Sequence, residues 1–589
     1  MAELTRLFEI PYHQQKKYPK SDMLCRKDPD GSWKKYSTEE VIAIVNRLSI
    51  GLLNYGIKAG DKVGLISENR PEWNFIDLAI LQIGAVDVPI YPTITEADYE
   101  FIFNNSEIKA CFVSSQDLLG KVSNIKHKVP TLQDIFTIDK IKDAKNWEEV
   151  LNFEGSATQA DVDAAKDAVK TNDLATIIYT SGTTGVPKGV MLSHGNIISN
   201  VQAVLTILPL ESTDRNLSFL PLCHIFERTV LYSYMIAGCS TYYAESMDTI
   251  GDNLKEVKPQ YFSTVPRLLE KVYDKIVAKG NTLEGSKRKL FFWAMDLGDQ
   301  WEPTGKSFSY KLKLSLARKL IFSKWQEALG GEIKGIITGA AALQKRLEKV
   351  FNAAGMPVRQ GYGMTESSPV ITISRFEDDD YMVGTVGRPI PGVEVKIEPG
   401  SGEICCKGPN VMLGYYKRPD ATAETIDADG WLHTGDVGEF VDGKYLKITD
   451  RIKQLFKTSG GKYVAPTPIE SKFVESPMIE AMLVTGNDQK FVGALFVPSE
   501  EQLKHFCTEC NLANSSIKEM IQHKEVLDCF QKICDEYNVN FGHVEQIKRF
   551  KLLSEPWSIE TGELTPTMKV KRKVVMEKYA KEIDEIYNV

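Results

Sequence analysis

Long apolar runs are absent. The longest, such as Leu78–Val86, fall far short of the ~20 residues that a bilayer-spanning helix needs. The opening "MAELTRLFEIPYHQQ" has no basic stretch leading into an apolar one, so it does not read as a secretory signal. A surplus of positive charge is also missing. Lys and Arg number 71 against 79 Asp and Glu, a net charge of −8. That balance argues against nucleic acid as a partner and leaves any phosphate ligand to a local site. The ten cysteines are scattered over 589 residues without framework spacing, as reduced thiols in a cytosolic chain would be. Cys507 and Cys510, with His505 nearby, could seed a zinc site. No second spaced pair follows, and two cysteines on a helical turn is the simpler reading. The expected location is cytoplasmic, at most peripheral at the inner face of a membrane.

What is present is an ordinary globular composition, 43% hydrophobic and 25% charged. Strand-like and helix-like segments alternate through the first two-thirds: Asp61–Asn69 as a buried strand, Pro71–Ala85 as a helix opened by proline, Val86–Thr93 as a strand. This predicts an α/β chain with layered parallel sheets. From about Gly384 short β-rich segments take over, Gly392–Gly408 and Gly443–Arg451, as in a partly barrel-like region. A small α+β unit follows, with Glu480–Pro498 as a hairpin turning at "GND". The expected domains are therefore 1–450 and 451–589. Residues 281–329 form a basic, aromatic, helical segment, either a surface helical pair with an apolar inner side or a membrane-surface element.

The stretch "YTSGTTGVPKG" (Tyr179–Gly189) follows an apolar strand and precedes the helix-like Gly189–Leu205. Glycines let backbone N–H groups converge on oxygens, hydroxyls add donors, and Lys188 can neutralise a phosphate. The pattern GxxxxGK[ST] is absent, which excludes a P-loop of that type. The cradle comprises Thr180, Ser181, Gly182, Thr183, Thr184, Gly185 and Lys188.

The longer string "YTSGTTGVPKGVMLSHGN" closely resembles the phosphate-loop signature of the adenylate-forming (AMP-binding) superfamily. Further motifs occur in that family's order: "LPLCHIFER" (Leu220–Arg228), "TGAAAL" (Thr338–Leu343), "QGYGMTESS" (Gln360–Ser368), "GWLHTGDVG" (Gly430–Gly438), "ITDRIKQLFKTSGGKYVAPTPIE" (Ile448–Glu470) and "GELTPTMKVKRK" (Gly562–Lys573). The resemblance covers roughly Ser37–Lys573. It implies a large N-terminal domain, a small mobile C-terminal domain, and ATP, Mg²⁺ and CoA as cofactors or co-substrates.

It also implies roles. Gly339, Ala340, Gln360, Gly361, Tyr362 and Gly363 would surround adenine, although Tyr362 alone would read as a core tyrosine. Thr365 would donate to the α-phosphate. Glu366 would hold Mg²⁺, where otherwise it is an acid at a helix start. Asp436 and Arg451 would bind ribose or phosphate. His224 would orient near the acyl carboxylate, though a lone histidine in an apolar stretch is more often a core residue. Lys569 would reach the α-phosphate during adenylation, where composition alone gives a solvated basic run. Lys453 would be the hinge, and Lys457, Gly460 and Gly461 would serve the thioester step. The insertion and several motifs most resemble long-chain fatty acyl-CoA synthetases, making a long-chain fatty acid and coenzyme A the expected partners. Transfer to a carrier protein, a medium-chain or aryl acid, and a non-catalytic binder are the alternatives. Oligomeric state is left open.

Overall fold

The computed structural model describes residues 4–180, 186–452, 454–512, 516–559, 561–565 and 569–588. The chain splits into two compact units. The first comprises Met1–Lys396, Cys405–Thr434 and Asp442–Leu446; the second comprises Ile397–Ile404, Gly435–Val441 and Lys447–Val589.

The first unit holds two large sheets. One has seven strands in the spatial order Gly414–Tyr415, Lys188–Ser193, Leu174–Thr180, Val86–Pro89, Lys62–Ile66, Ile108–Val113, Asp134–Thr137. The last five are parallel to one another. The other sheet has nine strands, and its central run from Ser240–Tyr243 through Arg215–Ser218, Tyr261–Thr264 and Gly335–Thr338 to Val358–Gly363 is parallel. Parallel strands need crossovers, and the helices supply them.

Local chemistry sets the helix ends. Ser37 accepts from the Glu40 N–H while the Glu40 carboxylate takes the Ser37 N–H, and Gly56 closes that helix in the left-handed conformation. The helix Pro71–Gln82 is buried at every position, Asp77 included. Such a helix lies in the core rather than on the surface, which is why its apolar pattern shows little periodicity.

The helix expected over Gly189–Leu205 begins only at His194. Lys188–Ser193 instead pairs antiparallel with Leu174–Thr180, and Thr180 lies opposite Lys188. Valine and leucine on a strand bury well here. Ser193 is the true helix cap, in a capping box with Asn196.

In the second unit, Ile479–Thr485 and Val492–Pro498 form the expected hairpin, and Ile547–Leu552 adds in parallel. Asp488 sits at φ 59° in its turn. Phe473, Phe496 and Phe530 anchor the core beside this sheet. Cys507 is part of that core, whereas Cys510 and His505 are exposed and His505 faces Glu509. The zinc alternative is thereby set aside in favour of two cysteines on a helix turn. All ten cysteines are free. Among the described residues, no helix is long and apolar enough to cross a membrane.

Candidate active site

Ser181, Gly182, Thr183, Thr184 and Gly185 lie outside the described residues, but both flanks of their loop are described. Lys188 places its ammonium 4.8 Å from the centre of the Tyr415 ring. Tyr415 lies on the neighbouring strand, opposite Val190, and its hydroxyl donates to Glu366 Oε1 at 2.7 Å. Burial and the Glu366 charge both push the Tyr415 pKa up, so the phenol keeps its proton and remains a donor. The loop cation, an aromatic face and a buried carboxylate thus form one connected set. Thr365 and Glu366 occupy a short 3-10 turn, both buried.

Two asparagines from the helix His194–Leu205 hold that turn. Asn200 donates to the Val370 carbonyl at 2.7 Å and accepts from the Val370 N–H at 3.2 Å. Asn196 donates to the Pro409 and Val411 carbonyls at 2.7 and 2.9 Å. The Glu366 carbonyl in turn accepts from the Met412 N–H. Gly363 is required at its place: a Cβ there would stand 1.7 Å from the Pro369 carbonyl oxygen.

The other residues of this unit sit where parallel strands end, the usual ligand edge of an open α/β sheet. Gly339 and Ala340 follow the strand Gly335–Thr338, whose partner strand runs into Gln360–Gly363. Ala340 takes φ 68°, and Gln360 Oε1 accepts from the Leu343 N–H at 3.4 Å. A Cβ on Gly339 would come within 3.1 Å of the Gly361 oxygen, so these two backbones pass very close. Tyr362 is buried. His224 caps the helix Ile225–Ala237, its Nδ1 accepting from the Phe226 N–H at 3.2 Å. The Nδ1 lone pair is thus engaged at the helix start. Its neighbour Glu227 is fully buried against Ser218 at 2.6 Å, and burial pushes its pKa up to about 8.

In the second unit, Asp436 and Arg451 form an ion pair with Nε–Oδ1 2.6 Å. Asp450 fixes the base of Arg451 by accepting its N–H at 2.6 Å and a bond from Thr467 at 3.1 Å. Lys569 is solvent-accessible, yet surrounding protein desolvates its ammonium enough to lower the pKa to about 8; the Arg451 charge adds to that fall and Asp436 opposes it. Three sequence motifs, spaced over more than a hundred residues, therefore share one electrostatic neighbourhood. Lys457 and Gly461 belong to a separate small hairpin, Lys457 pairing with Tyr463. Gly461 has φ 75°, and the Lys457 carbonyl accepts from the Asp488 N–H. Gly460 lies between the two. Lys453 lies outside the described residues.

Residues 12–416 match the family model described as AMP-binding enzyme, and residues 453–589 match that of the AMP-binding enzyme C-terminal domain. The chain belongs to the AMP-binding enzyme family. A long-chain-fatty-acid–CoA ligase of Mycobacterium tuberculosis is 32% identical over 567 residues, covering 95% of this chain and 93% of that protein. Long-chain-fatty-acid–CoA ligase 6 of Homo sapiens is 32% identical over 603 residues, covering 95% and 84%. Among solved structures, the adenylation domain of a carboxylate reductase from Mycobacterium chelonae superposes with TM-score 0.77 at 21% identity, covering 100% and 92%. An anthranilate CoA ligase bound to anthranoyl-AMP gives 0.73 at 18% identity, covering 99% of each chain. These two likenesses establish the AMP-binding fold.

Several residues of this AMP-binding enzyme escaped the sequence reading. Tyr415 stands in "LGYYKRP", where nothing in spacing connects it to Glu366. Asn196 and Asn200 were visible, four apart on one helix face, but what they hold lies some 170 to 215 residues on. Asp450 precedes Arg451 directly, and only its burial reveals its work.

Proposed function

We propose that this chain activates a long-chain fatty acid with ATP and transfers the acyl group to coenzyme A. In the first step a carboxylate oxygen attacks the α-phosphorus, a new P–O bond forms, and pyrophosphate leaves. In the second the CoA sulfur attacks the acyl carbonyl and AMP leaves. The single observation that supports this reading best is identity of 32% running through 95% of the chain with ligases of that name.

The chain's own residues divide the work. The loop Thr180–Gly185 and Lys188 bind the outer phosphates. Thr365 donates to the α-phosphate, and Lys569 brings positive charge to the oxygens that become more negative there. Asp436 accepts from ribose hydroxyls, and Arg451 keeps its carboxylate oriented. Gly339, Ala340 and Gln360–Gly363 receive the base. His224 orients the acid. The buried Glu366 carboxylate, anchored on one oxygen by Tyr415, offers the hard oxygen donor that suits magnesium, which would neutralise triphosphate charge. Lys457, Gly460 and Gly461 serve the pantetheine arm. An acyl tail offers no hydrogen bonds, and each buried methylene contributes about 0.8 kcal/mol, which favours long chains. Within this proposal 1–450 is the body, carrying the helical insertion 281–329, and 451–589 is the lid. The enzyme is cytoplasmic and peripheral at the inner membrane face.

Pyrophosphate exchange into ATP that depends on added fatty acid tests adenylation, and no exchange with any acid would end the reading. Mass spectrometry of products from a pool of acids, with CoA or a carrier protein supplied in turn, identifies substrate and acceptor. Lys453→Pro provides a further test. Proline locks φ, so a residue that must rotate between the steps can no longer do so. The expected result is retained exchange with acyl-adenylate accumulating. Normal acyl-CoA formation by that variant would rule out the hinge role.

A further inference from the structure

The helix Phe308–Ala317 continues through a π turn, Arg318–Phe322, into Ser323–Ala328. One side of this rod is clamped to its unit. Leu314, Ala317, Phe322 and Trp325 are buried, the Tyr310 hydroxyl donates to the Leu297 carbonyl at 2.7 Å, and Arg318 Nε donates to the Ala353 carbonyl at 2.7 Å. The other side is bare and apolar. Phe308, Leu312, Leu316 and Leu320 are 78, 57, 50 and 41% exposed. They recur every fourth residue. In an α-helix four residues advance about 400°, so such a stripe drifts by about 40° per step. The wider π turn rotates less per residue, which brings Leu320 back toward the line of Leu316. The stripe is thus kept along one side of the rod.

Charge says what covers it. Between Pro303 and Gln326 there is no Asp or Glu, while Lys311, Lys313, Lys319 and Lys324 are exposed along the same segment. The chain as a whole carries −8. A protein partner would have to be an acidic one with a flat apolar face. A bilayer with anionic headgroups supplies both properties at once, acyl tails for the stripe and phosphates for the lysines, and long lysine stems allow their ammonium groups to reach the headgroups.

We propose that the outer face of 308–324 lies in the plane of an anionic membrane surface, with Phe308, Leu312, Leu316 and Leu320 as its anchors. This deepens the proposed function, on whose fatty-acid reading its biological purpose rests, by naming the surface from which such an acid would be collected. The binding geometry itself does not depend on the ligase reading.

Co-sedimentation of the full chain with vesicles of phosphatidylcholine, with and without phosphatidylglycerol, tests it. The expected result is binding to the anionic vesicles that weakens in high salt and is weaker on neutral ones. Leu312→Gln with Leu316→Gln, both solvent-facing, reduces the partition coefficient by at least about 10-fold. Lys311→Glu with Lys313→Glu lowers it by a similar factor and removes the preference for anionic lipid. Fatty-acid-dependent pyrophosphate exchange, run with detergent-dispersed acid, stays at the wild-type rate in both variants. Absence of wild-type binding at low salt, or unchanged binding by the leucine variant, overturns the proposal. So does sedimentation velocity showing a wild-type dimer that the leucine variant abolishes, since a second copy would then cover the stripe. Loss of exchange in the wild type would instead refute the ligase reading while vesicle binding stood.

Discussion

Replacing Lys569 with alanine slows fatty-acid-dependent pyrophosphate exchange by about 10²–10³-fold, the usual consequence of removing one charge-stabilising donor from a reacting phosphoryl group. Thioester formation from supplied acyl-adenylate falls much less, because that step breaks a bond at carbon and makes no new bond to phosphorus. The pH dependence follows from the pKa near 8. Desolvation and the Arg451 charge lower it from the ordinary lysine value, and Asp436 offsets part of the fall. Below about 8 the amine is protonated and useful; as pH rises through that value the cation is lost. The profile of kcat/KM for ATP, which reports the free enzyme, is therefore expected to decline above about pH 8. The corresponding kcat profile declines later, since bound triphosphate favours the charged amine. Lys569→Arg keeps its charge at high pH and should abolish the decline, at a reduced rate because a planar fork replaces a point charge. Equal loss in both half-reactions on Lys569→Ala would show that the residue supports the fold rather than the chemistry.

Local signals in the sequence were read well, and distant ones were not. The proline opening Pro71–Gln82 and the "GND" hairpin each depend on neighbours a few residues apart. The same confinement explains the error at Gly189–Ser193. Its four apolar or small residues before a helix cap fit either a helix or a strand, and pairing with Leu174–Thr180 decided the matter. For the site, motif order pointed to Asp436, Arg451 and Lys569 without revealing that the three share one electrostatic environment. That fact depends on tertiary folding, which no spacing records. Tyr415 was invisible for the same reason, since its bond to Glu366 spans 49 residues. Arg228 is the sharpest case. It ends the motif "LPLCHIFER", and its partners Asp77, Asp87 and Thr176 lie on three other elements.

That buried arginine carries the largest expected effect on stability. Arg228, Asp77 and Asp87 have no exposed side-chain surface. Arg228 Nη2 stands 2.5 Å from Asp77 Oδ1 and 3.1 Å from Asp87 Oδ2, its Nε donates to the Tyr232 hydroxyl at 2.9 Å, and Nη1 donates to Thr176 at 3.0 Å. Tyr232 donates in turn to Asp77. Burial opposes the guanidinium charge, but Asp77, Tyr232 and Asp87 outweigh it, and Arg228 stays protonated. One cation cannot balance two carboxylates in this interior. Burial, with Asp77 as a like-charged neighbour, raises Asp87 well above the carboxylate range despite Arg228; Asp77 is also raised by burial but has Arg228 and Tyr232 favouring its ionised form. The neutral arrangement is Arg228 cationic, Asp77 ionised and Asp87 protonated. Arg228→Met leaves Asp77 unpaired and should destabilise the fold by about 3–5 kcal/mol, whereas Asp87→Asn, a neutral isostere of the acid already present, should cost under about 1 kcal/mol. Urea midpoints at neutral pH measure both. The sign with pH is fixed: a carboxyl whose folded pKa is raised favours the folded state at low pH, and that advantage is lost as pH climbs above the unfolded value near 3.8 toward the folded one. Asp87→Asn should therefore flatten part of the decline in stability between acid and neutral pH. The consequence reaches the site, because the Arg228 N–H bonds the His224 carbonyl one turn earlier on the same helix. A variant that loosens this network is expected to raise KM for the fatty acid more than KM for ATP. If Asp87→Asn destabilised as much as Arg228→Met, the assignment of the proton to Asp87 would be wrong and both carboxylates would have to be charged.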